Sequence, residues 1–295
     1  GAGCCCCCCA VPAARSKDVA KSASDLLNND FQLASQKVKI KSVAANGTVI
    51  TSEGTLKNKG GTSGKVGVAF DVMGINIKKL EVNTDGRFTA EASLKATPAL
   101  NTTVKVSEGG DAAPAADVSL EYANEQLAAS LVCDVTDPAG PTLHGQASVG
   151  VAVPNSTARL VIGAETKYAT GLDSSSTPSV ADYNVGAALE HGDLVASFHT
   201  KKKLSQPTFS VHHRRSTTMS LAAQYAHASK LVTVGSTFQV DPLVKVQGKI
   251  DSNAIVSANV HHTVSSNLKV IASASVDAKN FAGDSHKFGL QLIFS

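Results

Sequence analysis

The sequence predicts an all-β transmembrane barrel of about 19 strands, headed by one amphipathic helix, and three features carry that expectation. From Lys37 to the C-terminus the apolar residues recur with a period of two. Many of the alternating segments run for about nine to eleven residues, the length of a strand that crosses a bilayer at a tilt. Residues 37–295 number 259 and carry no linker that would divide them; strands of ~10 residues with turns of ~3–4 fill that length about 19 times.

Composition narrows the alternatives. The chain has 295 residues, 43% hydrophobic and 17% charged, with a mean hydropathy of +0.03. Its longest apolar runs, such as Val149–Val153 and Leu160–Ala164, fall far short of the ~18–20 residues of a spanning helix. Val, Leu, Ile and Ala spread along the whole length argue against disorder. Lys and Arg number 27 against 24 acidic residues, a net +3 that gives no reason to expect a nucleic-acid partner. A soluble β-sandwich also alternates, with strands averaging ~5–6 residues, and remains an alternative at the level of pattern. Against a barrel stands the 4% aromatic content with no Trp, which leaves four Tyr, Tyr168, Tyr183 and Tyr225 among them, and nine Phe to mark the membrane interfaces.

Taken in order, residues 1–16 read as a disordered Cys- and Ala-rich tail. Residues 17–31 read as a helix with Ser16 as N-cap, because Val19, Ala23, Leu26 and Leu27 fall at i, i+4, i+7 and i+8 on one apolar stripe. Residues 37–295 form the barrel. Val38 and Ile40 oppose Lys37, Lys39 and Lys41; Val66, Val68, Phe70 and Val72 share a face. Leu160, Ile162, Ala164, Thr166 and Tyr168 oppose Arg159, Glu165 and Lys167. Val244, Val246 and Ile250 oppose Lys245, Gln247 and Lys249; Leu268, Val270, Ala272, Ala274 and Val276 oppose Lys269, Ser273, Ser275 and Asp277. Phe288, Leu290, Leu292 and Phe294 oppose Lys287, Gly289 and Gln291. Asn46-Gly47, Gly60-Gly61, Asp85-Gly86, Gly109-Gly110 and similar pairs separate the runs. Between Ile75 and Val82 the apolar face switches from odd to even positions, the signature of a β-bulge.

Phe238–Val260, FQVDPLVKVQGKIDSNAIVSANV, resembles the signature of the eukaryotic mitochondrial porins, the voltage-dependent anion channels. Asp241, Pro242, Gly248, Lys249, Ile250, Asp251, Ser252, Ser257, Ala258 and Val260 match; Phe238 replaces the usual Tyr or His, and Val244 a small residue. The helix carrying Asp18, Lys21, Ala23, Asp25-Leu26-Leu27, Asp30 and Phe31 is similar to that of plant members, and Asn46–Thr51, Val82–Asp85 and His286–Leu290 agree as well. The resemblance implies a 19-stranded barrel in the mitochondrial outer membrane, with parallel first and last strands and the helix inside the lumen. It implies passage of ATP, ADP, phosphate and other small anionic metabolites, partial closure under voltage, no cofactor and no catalysis. Lipid and the transiting anions and nucleotides are the expected partners, with a homo-oligomer also compatible. Lys21, Lys37, Lys39, Lys41, Lys167, Lys245, Lys249, Lys269 and Lys287 are the expected anion-interacting residues, since lysines lining a wet pore concentrate anions. Asp18, Val19, Ala23, Asp25, Leu26 and Leu27 are the expected gating helix. Two helix positions that are usually basic in the family fall on Ser24 and Asn29, and a lipid-facing Glu of some animal members falls on Leu80. The pore of the outer-membrane protein import machine, which is similar to these porins, is the alternative within this fold.

Other patterns carry less. Gly60–Lys65 is one residue short of a phosphate loop and precedes a strand. His212-His213 and His261-His262 are strand neighbours that point to opposite faces, which is wrong for joint metal ligation. Asn46, Asn101 and Asn155 head sequons that matter only in a secreted chain. The run Cys4–Cys9, with Cys133 as the seventh cysteine, cannot frame a disulfide fold and points to a reducing compartment. No apolar leader of a secretory type precedes the helix. Gly1 beside clustered thiols admits an acylated anchor, although Cys5 stands where a myristoylation pattern has Ser or Thr; a tail without function is the favoured reading.

Overall fold

The computed structural model describes residues 21–58, 60–111, 113–136, 140–171, 177–283 and 285–295. Helix α1 (Lys21–Asn28) precedes β1 (Ser35–Val43), β2 (Val49–Lys57), β3 (Thr62–Val72), β4 (Ile75–Asn83), β5 (Phe88–Lys95) and β6 (Leu100–Glu108). Then follow β7 (Ala115–Ala123), β8 (Leu127–Asp134), β9 (Thr142–Ala152), β10 (Ala158–Ala169), β11 (Ser179–His191), β12 (Leu194–His199) and β13 (Thr208–Arg214). The last six are β14 (Met219–Ala226), β15 (Leu231–Asp241), β16 (Val244–Asp251), β17 (Ile255–Ser265), β18 (Leu268–Asp277) and β19 (Lys287–Phe294). Each strand pairs antiparallel with the next, and β1 pairs with β19 to close one 19-stranded sheet.

Arithmetic dictates the seam. Neighbours in an up-and-down barrel alternate in direction, so an odd number of strands leaves one pair running the same way. That pair is β1 and β19, parallel from Gln36 beside Leu290 to Ile40 beside Phe294. Both run from the mouth where the helix linker enters, here the linker mouth, to the terminal mouth. A closed sheet of this size measures roughly 35–40 Å across its backbone, wide enough for an aqueous channel.

Burial is inverted relative to a soluble protein. The outward residues of each strand are large and apolar: Val66 is 52% exposed, Ile162 55% and Val234 47%. The buried residues are small and polar, among them Ser130, Ser148, Ser210, Ser257 and Asn259. A soluble sandwich would bury the first set, so this pattern excludes that alternative. Among the described residues no helix is long and apolar enough to cross a membrane.

Aromatic residues sit where water, headgroups and hydrocarbon meet. Phe88, Tyr168, Tyr183, Phe198, Phe209, Tyr225 and Phe288 lie on strand ends at the linker mouth. Phe70, Tyr122, Phe238 and Phe294 lie toward the terminal mouth. Phe198 and Phe209 stack with centroids 5.0 Å apart, and Tyr225 Oη reaches His227 Nδ1 at 3.5 Å. A belt of Phe and Tyr thus takes the place of the absent Trp.

The bulge falls in β4. Its register against β5 breaks between Ile77 and Lys79, and against β3 between Val68 and Phe70. Lys78 is the extra residue, so two consecutive lysines both reach lumen-facing carboxylates. Lys78 Nζ is 3.3 Å from Glu91 Oε1 and Lys79 Nζ 2.9 Å from Glu81 Oε1.

Leu292→Pro tests the seam. Leu292 is flanked by Val38 and Val270, and proline there removes a ladder donor inside the bilayer, where each unsatisfied backbone group costs several kcal/mol. We expect loss of the compact, heat-modifiable band on mild-detergent gels, whereas Leu292→Val keeps it.

Candidate functional site

The lumen is the site, and the helix is its first feature. Ala23, Leu26 and Leu27 are buried and pack with Ala222 of β14. Leu27 settles over Gly235 of β15: a Cβ there would lie 2.7 Å from Leu27 Cδ2 and 2.9 Å from the Gly248 carbonyl oxygen. Only glycine leaves room for that approach. Gln247 of β16 donates its side-chain amide to the Leu26 carbonyl, and Lys249 Nζ donates to the Leu27 carbonyl at 2.6 Å. A cation on the last carbonyls of a helix satisfies orphan acceptors and complements its dipole. The same ammonium lies 4.4 Å from the Phe31 ring centroid.

The helix stops at Asn28 because the chain then turns out of register. Asp30 and Ala34 adopt left-handed φ values of 66° and 59°. Ser273 Oγ donates to the Asp30 carbonyl at 3.3 Å, and His261 Nε2 sits 3.8 Å from Asp30 Oδ2. The linker then crosses Gly289 of β19, where a Cβ would run into the Gln32 carbonyl.

The sequence-predicted residues separate into groups. Lys21 and Asp25 line a cavity of about 520 Å³ between the helix and the wall of β10–β14, shared with Glu165, Asn184, His199 and Lys201. Asp18 and Val19, like the Cys4–Cys9 run and Gly1, lie outside the described residues. Ser24 and Asn29, at the two usually basic positions, make local hydrogen bonds: Asn28 Nδ2 donates to Ser24 Oγ at 3.2 Å, and Asn29 Nδ2, just past the helix end, donates to Asp25 Oδ1 at 3.0 Å.

Lys37 belongs to a ladder of alternating charge across β1–β4. Its Nζ is 2.8 Å from Glu53 Oε1; Lys65 bridges Glu53 at 3.6 Å and Glu81 at 3.5 Å; Lys79 closes on Glu81. Lys167 faces Asp182 and His144 in register in a pocket with Asp117, Asp134 and Glu165. Lys249 is taken by the helix. Lys287 shares a cavity with Asp251 and Asp277 at the linker mouth.

Lys39, Lys41, Lys245 and Lys269 are different. Among the described residues none of them has an ion pair, and Lys41, Lys245 and Lys269 sit next to the terminal mouth on β1, β16 and β18, within three strands of the seam. Lys41, Lys245 and Lys269 form a basic collar, and Lys39 lies deeper on β1, opposite Glu53 in register. Sequence reasoning found these four but missed the carboxylates that silence the others: Glu53 occupies an odd, lumen-facing position in β2, and that alternation was the available signal.

A closed 19-stranded barrel, a parallel seam and a helix docked in the lumen make up the architecture. The model of the eukaryotic porin family matches residues 13–289. The chain belongs to the eukaryotic porin family. Similar proteins include the mitochondrial outer membrane protein porin of 34 kDa from Solanum tuberosum, 30% identical over 93% of this chain and 95% of that one. The mitochondrial outer membrane protein porin 2 of Oryza sativa subsp. japonica is 25% identical over 94% of each chain. The non-selective voltage-gated ion channel VDAC2 of Xenopus laevis is 26% identical over 93% of this chain and 96% of that one. As a eukaryotic porin the chain presents its lumen wall as the surface that a permeating solute meets.

Glu53→Gln releases Lys37 and Lys65 together, and we expect the reversal potential under a salt gradient to move further toward the anion side. Gly235→Val drives a branched side chain into Leu27; faster hydrogen exchange at the α1 amides, with the barrel still folded, is the expected result.

Proposed function

We propose that this porin is a voltage-dependent, anion-preferring channel of the mitochondrial outer membrane that passes ATP, ADP, phosphate and other small anionic metabolites. The observation that carries the reading is the collar of Lys41, Lys245 and Lys269, which among the described residues has no ion pair, in a wide aqueous lumen. Family membership and relatives named as mitochondrial outer membrane porins and voltage-gated channels support it. The mechanism is electrostatic. Positive charge at one mouth raises the local concentration of anions and lowers that of cations, and low-dielectric walls focus the field. No atom needs to bind tightly for flux to be selective, and weak, distributed attraction lets a metabolite leave as easily as it enters.

Helix α1 is the proposed gating element. It narrows the lumen from one side and is held at its C-terminal end by Gln247, Lys249 and Ser273. A modest set of polar contacts and one apolar stripe gives a docked state that a transmembrane field can bias, since moving one charge through 100 mV is worth about 2.3 kcal/mol. A homo-oligomer is compatible with the apolar outer face.

Planar-bilayer recording tests the proposal. Anion preference should fall as salt rises from about 0.1 to 1 M, because the Debye length shrinks from about 10 to 3 Å. Charge reversal of Lys41, Lys245 and Lys269 to Glu should carry the reversal potential to the cation side with conductance largely kept. Cation selectivity of the unaltered protein, with block by presequence peptides, would instead favour the import-pore reading.

A further inference from the structure

A second charged feature lies in the lumen wall at the mouth opposite the collar, next to the helix-side cavity, with which it shares Glu165 and Asn184. At the linker-mouth ends of β7, β8, β10 and β11, Asp117, Asp134, Glu165 and Asp182 line one pocket of about 430 Å³. Asp117 stands directly opposite Asp134 in register, a like-charge pairing that costs stability unless a cation intervenes. Among the described residues Asp117 has no hydrogen bond or ion pair. Among the described residues that line the pocket Lys167 is the one Lys or Arg, the Lys203 backbone N–H donates to Asp182 Oδ1 at 2.7 Å from outside it, and His144 Nε2 lies 4.0 Å from Glu165 Oε2.

The amide of Asn184 adds an independent sign of a ligand. Asn184 is only 6% exposed and lines the same pocket. Its Nδ2 donates to Glu165 Oε1 at 3.0 Å and Asp182 Oδ2 at 3.1 Å. Its Oδ1 is buried and has no hydrogen-bond partner among the described residues. An acceptor buried among carboxylates calls for a donor that is also a cation, and an ammonium group supplies both. A metal ion is the wrong shape of answer, because among the described residues no three acidic or histidine groups converge as a coordination shell requires.

We propose that this pocket binds a linear polyamine, with its protonated nitrogens spaced along Asp117, Asp134 and Asp182 and one N–H donated to Asn184 Oδ1. Lys167 holds part of the site as a built-in competitor: its ammonium opposes Asp182 in register and acts electrostatically on Asp134. A pore whose collar attracts anions therefore keeps a separate station for organic polycations at its opposite mouth.

Isothermal titration of spermine into the full chain folded in detergent micelles tests this and requires no conductance, so the outcome is separate from that of the channel reading. Saturable binding is expected, weakened at least roughly five-fold in Asp117→Asn/Asp134→Asn. Lys167→Gln should tighten binding by a similar factor, and this single neutral substitution keeps the test decisive if the double variant does not fold. Magnesium chloride should displace spermine no better than sodium chloride of equal ionic strength. Equal spermine affinity in the unaltered protein and the double Asn variant, unchanged or weaker binding in Lys167→Gln, or site-specific competition by magnesium would each overturn the proposal.

Discussion

Hydrocarbon offers the backbone no hydrogen-bond partners, and every other feature of this molecule follows from that constraint. An open sheet in a bilayer leaves one edge of N–H and C=O groups bare, at several kcal/mol for each. The sheet must close, and closure fixes which residues face lipid. Each strand then alternates between a hydrocarbon face and a wet face, and this is why the buried set is Ser, Thr and Asn while Val, Leu and Ile stand exposed. The near-zero mean hydropathy is the average of two opposed surfaces.

Features that rest on period two were legible in the sequence because alternation is local: each residue's face is set by its neighbours along the strand. The strand count and a bulge between Ile75 and Val82 followed from that rule. What a lysine meets after turning inward was not legible. Lys37 and Lys41 look alike in the sequence, yet Lys37 meets Glu53 across a hairpin while Lys41 faces Thr51. Lys167 and Asp117 share a pocket only because β7 to β11 stack in order. Lys249 donates to a carbonyl 222 residues earlier. Neutralisation depends on inter-strand register, and register is a property of the sheet.

The helix shows the same division. Its apolar stripe is plain in the sequence, but the surface that receives it is made of absences. Gly235 and Ala222 contribute little beyond room, and Gly289 lets the linker cross a strand. Small residues in a wide lumen mark where something else must lie against the wall, and their meaning depends on the docked partner. Around them, Gln247 and Lys249 serve carbonyls that a short helix cannot satisfy itself.

The parallel seam also bears on how the barrel is made. Its two strands are the first and the last to be synthesised, so the contact that seals the wall spans nearly the whole chain. Loop closure of that length is slow, and no partial barrel satisfies its edges in lipid. A chain that stops short of Phe294 thus retains a bare edge on β1 that no later strand can cover. The seam makes the finished wall a report on the integrity of all nineteen strands, and products truncated within them stay recognisable by the edge they expose.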